Sequence, residues 1–262
     1  MERSGDVGIP TSPTDYLDLG DRPHQTGRTG VNYRTTLIVA SLAAMFLWYW
    51  PIGRMLISPV TILNTFIHEY MHALAAWASD GSVSHIVVYA NASGVTHISG
   101  GQIWLIAPAG YVGSSVMGAL LLVLSHRERL VRWLLGFFAA SVALGMIVLV
   151  RGEALAVAVG ITSVVAIFAG AKWLPTGGVV FLAQFVAIQQ CAASFQAFYW
   201  LFKATEGHGM PSDAMRMAQA TGLPAELWAA LWCAFSAALV YFAIRYTWRS
   251  AGREGPRRRS RT

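Results

Sequence analysis

Between Thr35 and Ser125 the chain carries only three charged side chains, Arg54, Glu69 and Asp80. No water-exposed surface can be built from a stretch so poor in charge, and a helix of roughly 20 apolar residues is what crosses the hydrocarbon core of a bilayer. The remainder agrees: 55% of the 262 residues are hydrophobic and 12% are charged, where a soluble domain carries about 25% charged residues. A single soluble core and a disordered chain are both excluded.

Apolar segments at about 35–50, 56–78, 102–125, 130–150, 153–171, 178–203 and 226–247 predict an all-α integral membrane helix bundle with six or seven transmembrane helices. The first ends on Trp48, Tyr49 and Trp50, side chains suited to the membrane interface, before a turn at Pro51. Residues 1–34 are rich in Gly, Pro, Asp, Ser and Thr without an apolar period and read as a flexible tail. Residues 35–248 form the polytopic membrane domain and 249–262 a basic tail. Between the second and third apolar segments, Val83, His85, Val87 and Tyr89 alternate with neighbours and Asn91-Ala92-Ser93-Gly94 has turn chemistry, predicting a short β-hairpin. The polar stretch 204–225 contains Pro211-Ser212-Asp213-Ala214, a start signal for a short helix that stops at Gly222.

The formal net charge is +6, and the cations crowd the end of the chain: Arg245, Arg249, Arg253, Arg257, Arg258, Arg259 and Arg261. Beside a terminal apolar helix this is a positive-inside anchor against anionic lipid of the bilayer, and no nucleic-acid partner is expected. The C-terminus is therefore expected in the cytoplasm. Alternation then puts the N-terminus outside if all seven segments cross, so its side stays open, with the first or fifth segment as the one that fails to span. Cys191 and Cys233 lie in apolar stretches and read as small buried hydrophobes.

The second apolar segment holds His68-Glu69-Tyr70-Met71-His72, an H-E-x-x-H. Histidines four apart stack on one helical face, the spacing at which two imidazoles bind one zinc ion, and Glu69 leans beside the metal where a general base for a zinc-activated water belongs. A chance match is expected only about 0.005 times in a chain with this His and Glu content. Ionisable groups inside a membrane are costly and mark functional sites, so a metal explains these three better than packing does. With a helix starting near Leu56, His68 lies roughly 18 Å along it, past the bilayer midplane.

These residues resemble the site-2-protease-like membrane zinc metallopeptidases. The resemblance rests on Phe66-Ile67-His68-Glu69-Tyr70-Met71-His72-Ala73-Leu74-Ala75, then Ser93-Gly94-Val95-Thr96 in the hairpin and Ala109-Gly110-Tyr111-Val112-Gly113-Ser114-Ser115. Ser212-Asp213-Ala214 and Thr221-Gly222-Leu223-Pro224 extend it. It implies a membrane metalloprotease domain over 35–248 in a bacterial plasma membrane. It further implies Zn2+ as cofactor, Glu69 as catalytic base, and hydrolysis of peptide bonds within or beside the transmembrane segments of membrane protein substrates.

Relatives draw the third zinc ligand from a Leu-Asp-Gly triplet on a later helix, and no such triplet follows Asp80 here. A catalytic zinc takes three protein ligands plus water, which leaves Asp213, Glu206, His208 and Glu226. Asp213 is the expected ligand, as the only aspartate after Asp80; helix capping is its other reading. His85 and His97 are read as loop histidines or as groups beside the metal or substrate. Asn64, Thr65 and Gln102 are candidates to line a water path. Small residues Gly110, Gly113 and Gly118 are expected to pack the third span against the metal-bearing helix. The hairpin offers a strand edge on which an unwound substrate segment can pair. Two other classes stay open: a catalytically inactive membrane scaffold or adaptor, and, less supported without an internal repeat, a transporter. The sequence leaves the oligomeric state unknown.

Overall fold

The computed structural model describes residues 31–204 and 212–253. The N-terminal tail up to residue 30, Glu206, His208 and the tail beyond residue 253 lie outside the described residues. Eight helices and one hairpin occupy the described part: α1 Tyr33–Tyr49, α2 Pro51–Ala78, β1 Ser82–Val88, β2 Gly94–Ser99, α3 Ile103–Leu124, α4 Glu128–Leu149, α5 Ala154–Trp173, α6 Thr176–Ala204, α7 Asp213–Thr221 and α8 Ala225–Arg253. All seven expected apolar segments are helical, and the short polar helix is α7.

Among the described residues, four helices, α3, α4, α5 and α8, are long and apolar enough to cross a membrane. The outward faces of α4 and α5 carry Trp133, Phe137, Ile147 and Leu155 at 64–78% exposure. At roughly 25 cal/mol per Å2 such surface is costly in water, and hydrocarbon removes that cost. The helix boundaries follow local chemistry. Asn32 caps α1 by accepting from the Arg34 and Thr35 amides. Pro51 then occupies the first position of α2, where a missing N–H costs nothing. The helix that carries His68 and His72 thus starts five residues before the expected Leu56. His68 sits about 26 Å from its start and only about 15 Å from its end at Ala78.

One apolar core joins α1 to α6 and the hairpin, with Phe66, Ile67, Leu121, Leu122, Leu135 and Val142 fully buried. Polar ties gather helix ends. Arg34 donates to the Trp248 carbonyl (2.8 Å), and Gln184 Nε2 to the Tyr33 carbonyl (3.2 Å) and to Ser125 Oγ (3.4 Å). Thr247 donates to the Leu122 carbonyl and Arg132 to the Ala171 and Leu174 carbonyls. The starts of α1, α4 and α6 and the ends of α3, α5 and α8 therefore lie at one end of the bundle. The hairpin lies at the other, where the Arg151 amide donates to the Ile86 carbonyl and the Gln102 amide to Ser79 Oγ.

The hairpin expected after α2 is present and antiparallel, and Ile86 and Val88 form its buried face. The register shifts between Val83 and His85, and a bulge moves the strand's alternation by one residue.

Candidate metal centre

The α2 helix carries His68, Glu69 and His72 on its inner face, with His72 and Glu69 buried. The ring of His72 is held from behind, its Nδ1 lying 2.6 Å from the Ile106 carbonyl oxygen in the first turn of α3. A carbonyl only accepts, so Nδ1 carries a proton and the ring turns Nε2 inward. That nitrogen lies 3.0 Å from His68 Nε2 and 3.1 Å from Asp213 Oδ2, while His68 Nε2 lies 3.0 Å from the same carboxylate oxygen. Three donor atoms at the corners of a triangle about 3 Å on edge suit a divalent ion at the ~2.0–2.2 Å typical of His and Asp ligands to zinc. The Nδ1–H donated to a main-chain carbonyl is the arrangement that orients metal-binding histidines.

Asp213 arrives from far along the sequence. Ser212, not Asp213, caps α7: the Ser212 hydroxyl accepts from the Met215 amide at 3.3 Å. This leaves the Asp213 carboxylate, in the first helical position, turned to the histidines. Helix α7 is seated by a small apolar cluster of Ala107, Ala214, Met217, Ala229 and Trp232. Gly222, in the left-handed region at φ 74°, ends it and lets the chain turn into α8. The Thr221 hydroxyl accepts from Trp228 Nε1 at 3.0 Å and locks that turn. Among the described residues, His68, His72 and Asp213 are the one group of three or more His, Cys, Asp or Glu able to hold a metal.

The side of the site away from Asp213 belongs to the hairpin. The Thr96 hydroxyl lies 2.7 Å from Glu69 Oε2 and 2.9 Å from the Glu69 carbonyl, sharing one proton between two acceptors. Thr65 donates to the Ala92 carbonyl at 2.7 Å. The close approach needs Gly94, because a Cβ there would lie 2.8 Å from Thr65 Cγ2 and 2.9 Å from Glu69 Cγ. On α3, a Cβ at Gly110 would lie 2.3–2.6 Å from the His68 ring. One position further on, Tyr111 packs its ring edgewise on His68 with centroids 4.4 Å apart, and stacks on Trp232.

Thr96, Tyr111 and the Ile106 carbonyl carried no assigned role in the sequence. Their contacts span 27 to 43 positions, and no short motif encodes them. His85 and His97 stack on each other across the hairpin, centroids 4.2 Å apart, and stand outside the triad. Glu226 lies in the first turn of α8, also outside it. Asn64 is buried against Gln190, and Thr65 is tied to the hairpin turn. Gly110 and Gly113 pack against α2 as expected, whereas Gly118 faces Ala187 and Cys191 of α6. Cys191 and Cys233 are free thiols.

Residues 38–243 match the sequence family described as Peptidase M50B-like. Comparison with curated proteins and with solved structures returns no match.

Proposed function

The chain belongs to the Peptidase M50B-like family, and on that premise we propose that it is a zinc-dependent intramembrane metalloendopeptidase. It hydrolyses peptide bonds within or beside transmembrane segments of membrane protein substrates. The observation that carries this reading is the convergence of His68 Nε2, His72 Nε2 and Asp213 Oδ2 within 3.1 Å of one another beside Glu69.

His68, His72 and Asp213 would hold the metal. A zinc ion there would supply Lewis acidity and lower the pKa of water toward about 7. Glu69 accepts the proton of the attacking water as its oxygen adds to the scissile carbonyl, then delivers that proton to the departing amine nitrogen. Thr96 aims the Glu69 carboxylate, and Tyr111 and Gly110 fix the His68 ring. A substrate helix must first unwind to expose a peptide carbonyl. In the hairpin, the outer edge of β1 is already bridged at Ile86 by Val150, so a pairing substrate strand adds on the β2 side.

The zinc-to-protein ratio of the detergent-purified protein tests the reading. Near one zinc in the parent, with little in His72→Ala and Asp213→Ala, is the expected result. Zinc retained in Asp213→Ala alone removes that ligand and points to Glu206 or His208. No zinc in the parent after reconstitution with metal overturns the enzyme reading in favour of a scaffold.

Thr96→Val should leave zinc content unchanged and lower turnover by about 10- to 150-fold, since a hydrogen bond to a charged group is worth about 1.5–3 kcal/mol. Thr96→Ser should restore the rate. Unchanged turnover in the valine variant would remove the aiming role.

A further inference from the structure

The two histidines of the triad are not supported alike. His72 gives its Nδ1–H to the Ile106 carbonyl, whereas among the described residues every hydrogen bond of His68 runs through Nε2. A histidine that binds metal through Nε2 carries its proton on Nδ1, and that N–H is almost always donated to a carboxylate, a carbonyl or a water. Side chains on α2 lean toward its start, so the His68 ring lies over the turn that carries Asn64. Gly110 of α3 lies against the same ring, where a Cβ would come 2.6 Å from Nδ1.

Beyond Gly110 this face of α3 leads to a polar cluster. Ser114 and Gly118 follow at one-turn intervals on the same side of the helix. Gly118 abuts α6, since a Cβ there would lie 2.6 Å from Cys191 Sγ and 3.3 Å from Gln190 Cβ. Gln190 Nε2 in turn donates to Asn64 Oδ1 at 2.6 Å, and Asn64 Nδ2 to the Gln189 carbonyl at 3.4 Å. Ser114 therefore stands between His68 and the paired carboxamides of Asn64 and Gln190, and all three polar residues are buried.

Their hydrogen bonds do not close. Ser114 Oγ, Gln190 Oε1 and Gln189 Nε2 are buried without a partner among the described residues. Hydroxyls elsewhere in these helices return to the carbonyl one turn back, as those of Thr61, Thr65 and Ser163 do. Ser114 does not. Polar atoms left bare in the interior of a membrane protein are costly, and in a polar site buried water with about two to four hydrogen bonds removes that cost. Gly110 and Ser114 are about 6 Å apart along α3, a span that one water bridges at roughly 2.8 Å from each neighbour.

We infer that Ser114, Asn64 and Gln190 form a buried water-binding site beside the metal centre, and that water held there accepts from the Nδ1–H of His68. The three are positioning residues: they touch neither the ion nor the scissile bond and orient the imidazole through the water. The bond to His68 rests on the metalloprotease reading; the water site does not.

X-ray radiolysis of the detergent-purified protein makes hydroxyl radicals from water in place, so a buried side chain gains oxygen only where water sits beside it. With rates normalised to those of the denatured chain, Cys191, buried against Gly118, is expected to be oxidised well above Met146, which is buried in the apolar core. In Gln190→Leu it should fall to the rate of Met146. Equal protection of Cys191 and Met146 in the parent overturns the water site and needs no variant. Chelator competition then reads the link to the metal, with the thermal transition of the metal-free protein as the check on folding. Ser114→Ala should raise the zinc dissociation constant about 10- to 100-fold, the range for loss of an outer partner of a ligand. Parent-like zinc affinity in Ser114→Ala overturns the bond to His68. In cobalt-loaded protein the exchangeable Nδ1–H signals of the two histidines should respond separately to Ser114→Ala, with only that of His68 moving. Equal movement of both also overturns that bond, as a general repacking of α3. A parent that binds no metal removes the protease reading, and the radiolysis still decides the water site.

Discussion

Glu69→Gln will bind zinc like the parent and lose peptide hydrolysis by about 10²- to 10⁴-fold, the range general acid–base catalysis supplies. The substitution keeps the shape of the side chain and an oxygen that can accept from the Thr96 hydroxyl, now 2.7 Å from Glu69 Oε2. It removes only the capacity to take a proton. Because Glu69 is not one of the three converging donors, the metal has no reason to leave. Zinc content and turnover measured on the same preparation separate the two roles. Full cleavage by the glutamine variant would remove Glu69 as the base; loss of zinc would mean that its carboxylate helps to hold the ion.

The second large effect comes from one methyl group. In Gly110→Ala the new Cβ would sit 2.3–2.6 Å from three atoms of the His68 ring. That ring is confined, with Tyr111 on one edge and His72 on another, so it cannot simply turn aside. Either α3 moves away from α2 or the imidazole leaves the triad, at an overpacking cost of about 1–3 kcal/mol or more. Zinc content should fall close to that of His72→Ala, whereas Gly136→Ala, with nothing within 4 Å of its new Cβ, should behave as the parent. A fully loaded Gly110→Ala protein would show that the helices separate without disturbing the ligand.

How far these features were visible in the sequence depends on how local they are. The two histidines and Glu69 are written in five consecutive residues, because a helical face repeats every three to four positions. Asp213 was found by exclusion, as the only aspartate beyond Asp80. What brings it to the histidines is the packing of α7 on Trp232 and Ala107, which no spacing rule encodes. The hairpin was legible and its buried face was not, since the bulge before His85 moves the alternation by one residue. The spans were harder still. An apolar run shows that a segment prefers lipid but not that it is long enough to cross, and of the seven apolar segments four form helices long and apolar enough to do so among the described residues.

The separation of the donor set along the chain has a consequence for biosynthesis. His68 and His72 leave the ribosome well over a hundred residues before Asp213, on an early helix, and domains assemble as the chain is made. Until α7 has been synthesised and seated between α3 and α8, the growing chain carries His68, Glu69 and His72 without Asp213. On the proposed function, a nascent or truncated copy is therefore unarmed in the membrane that surrounds it, and hydrolytic capacity arrives only with the last part of the fold.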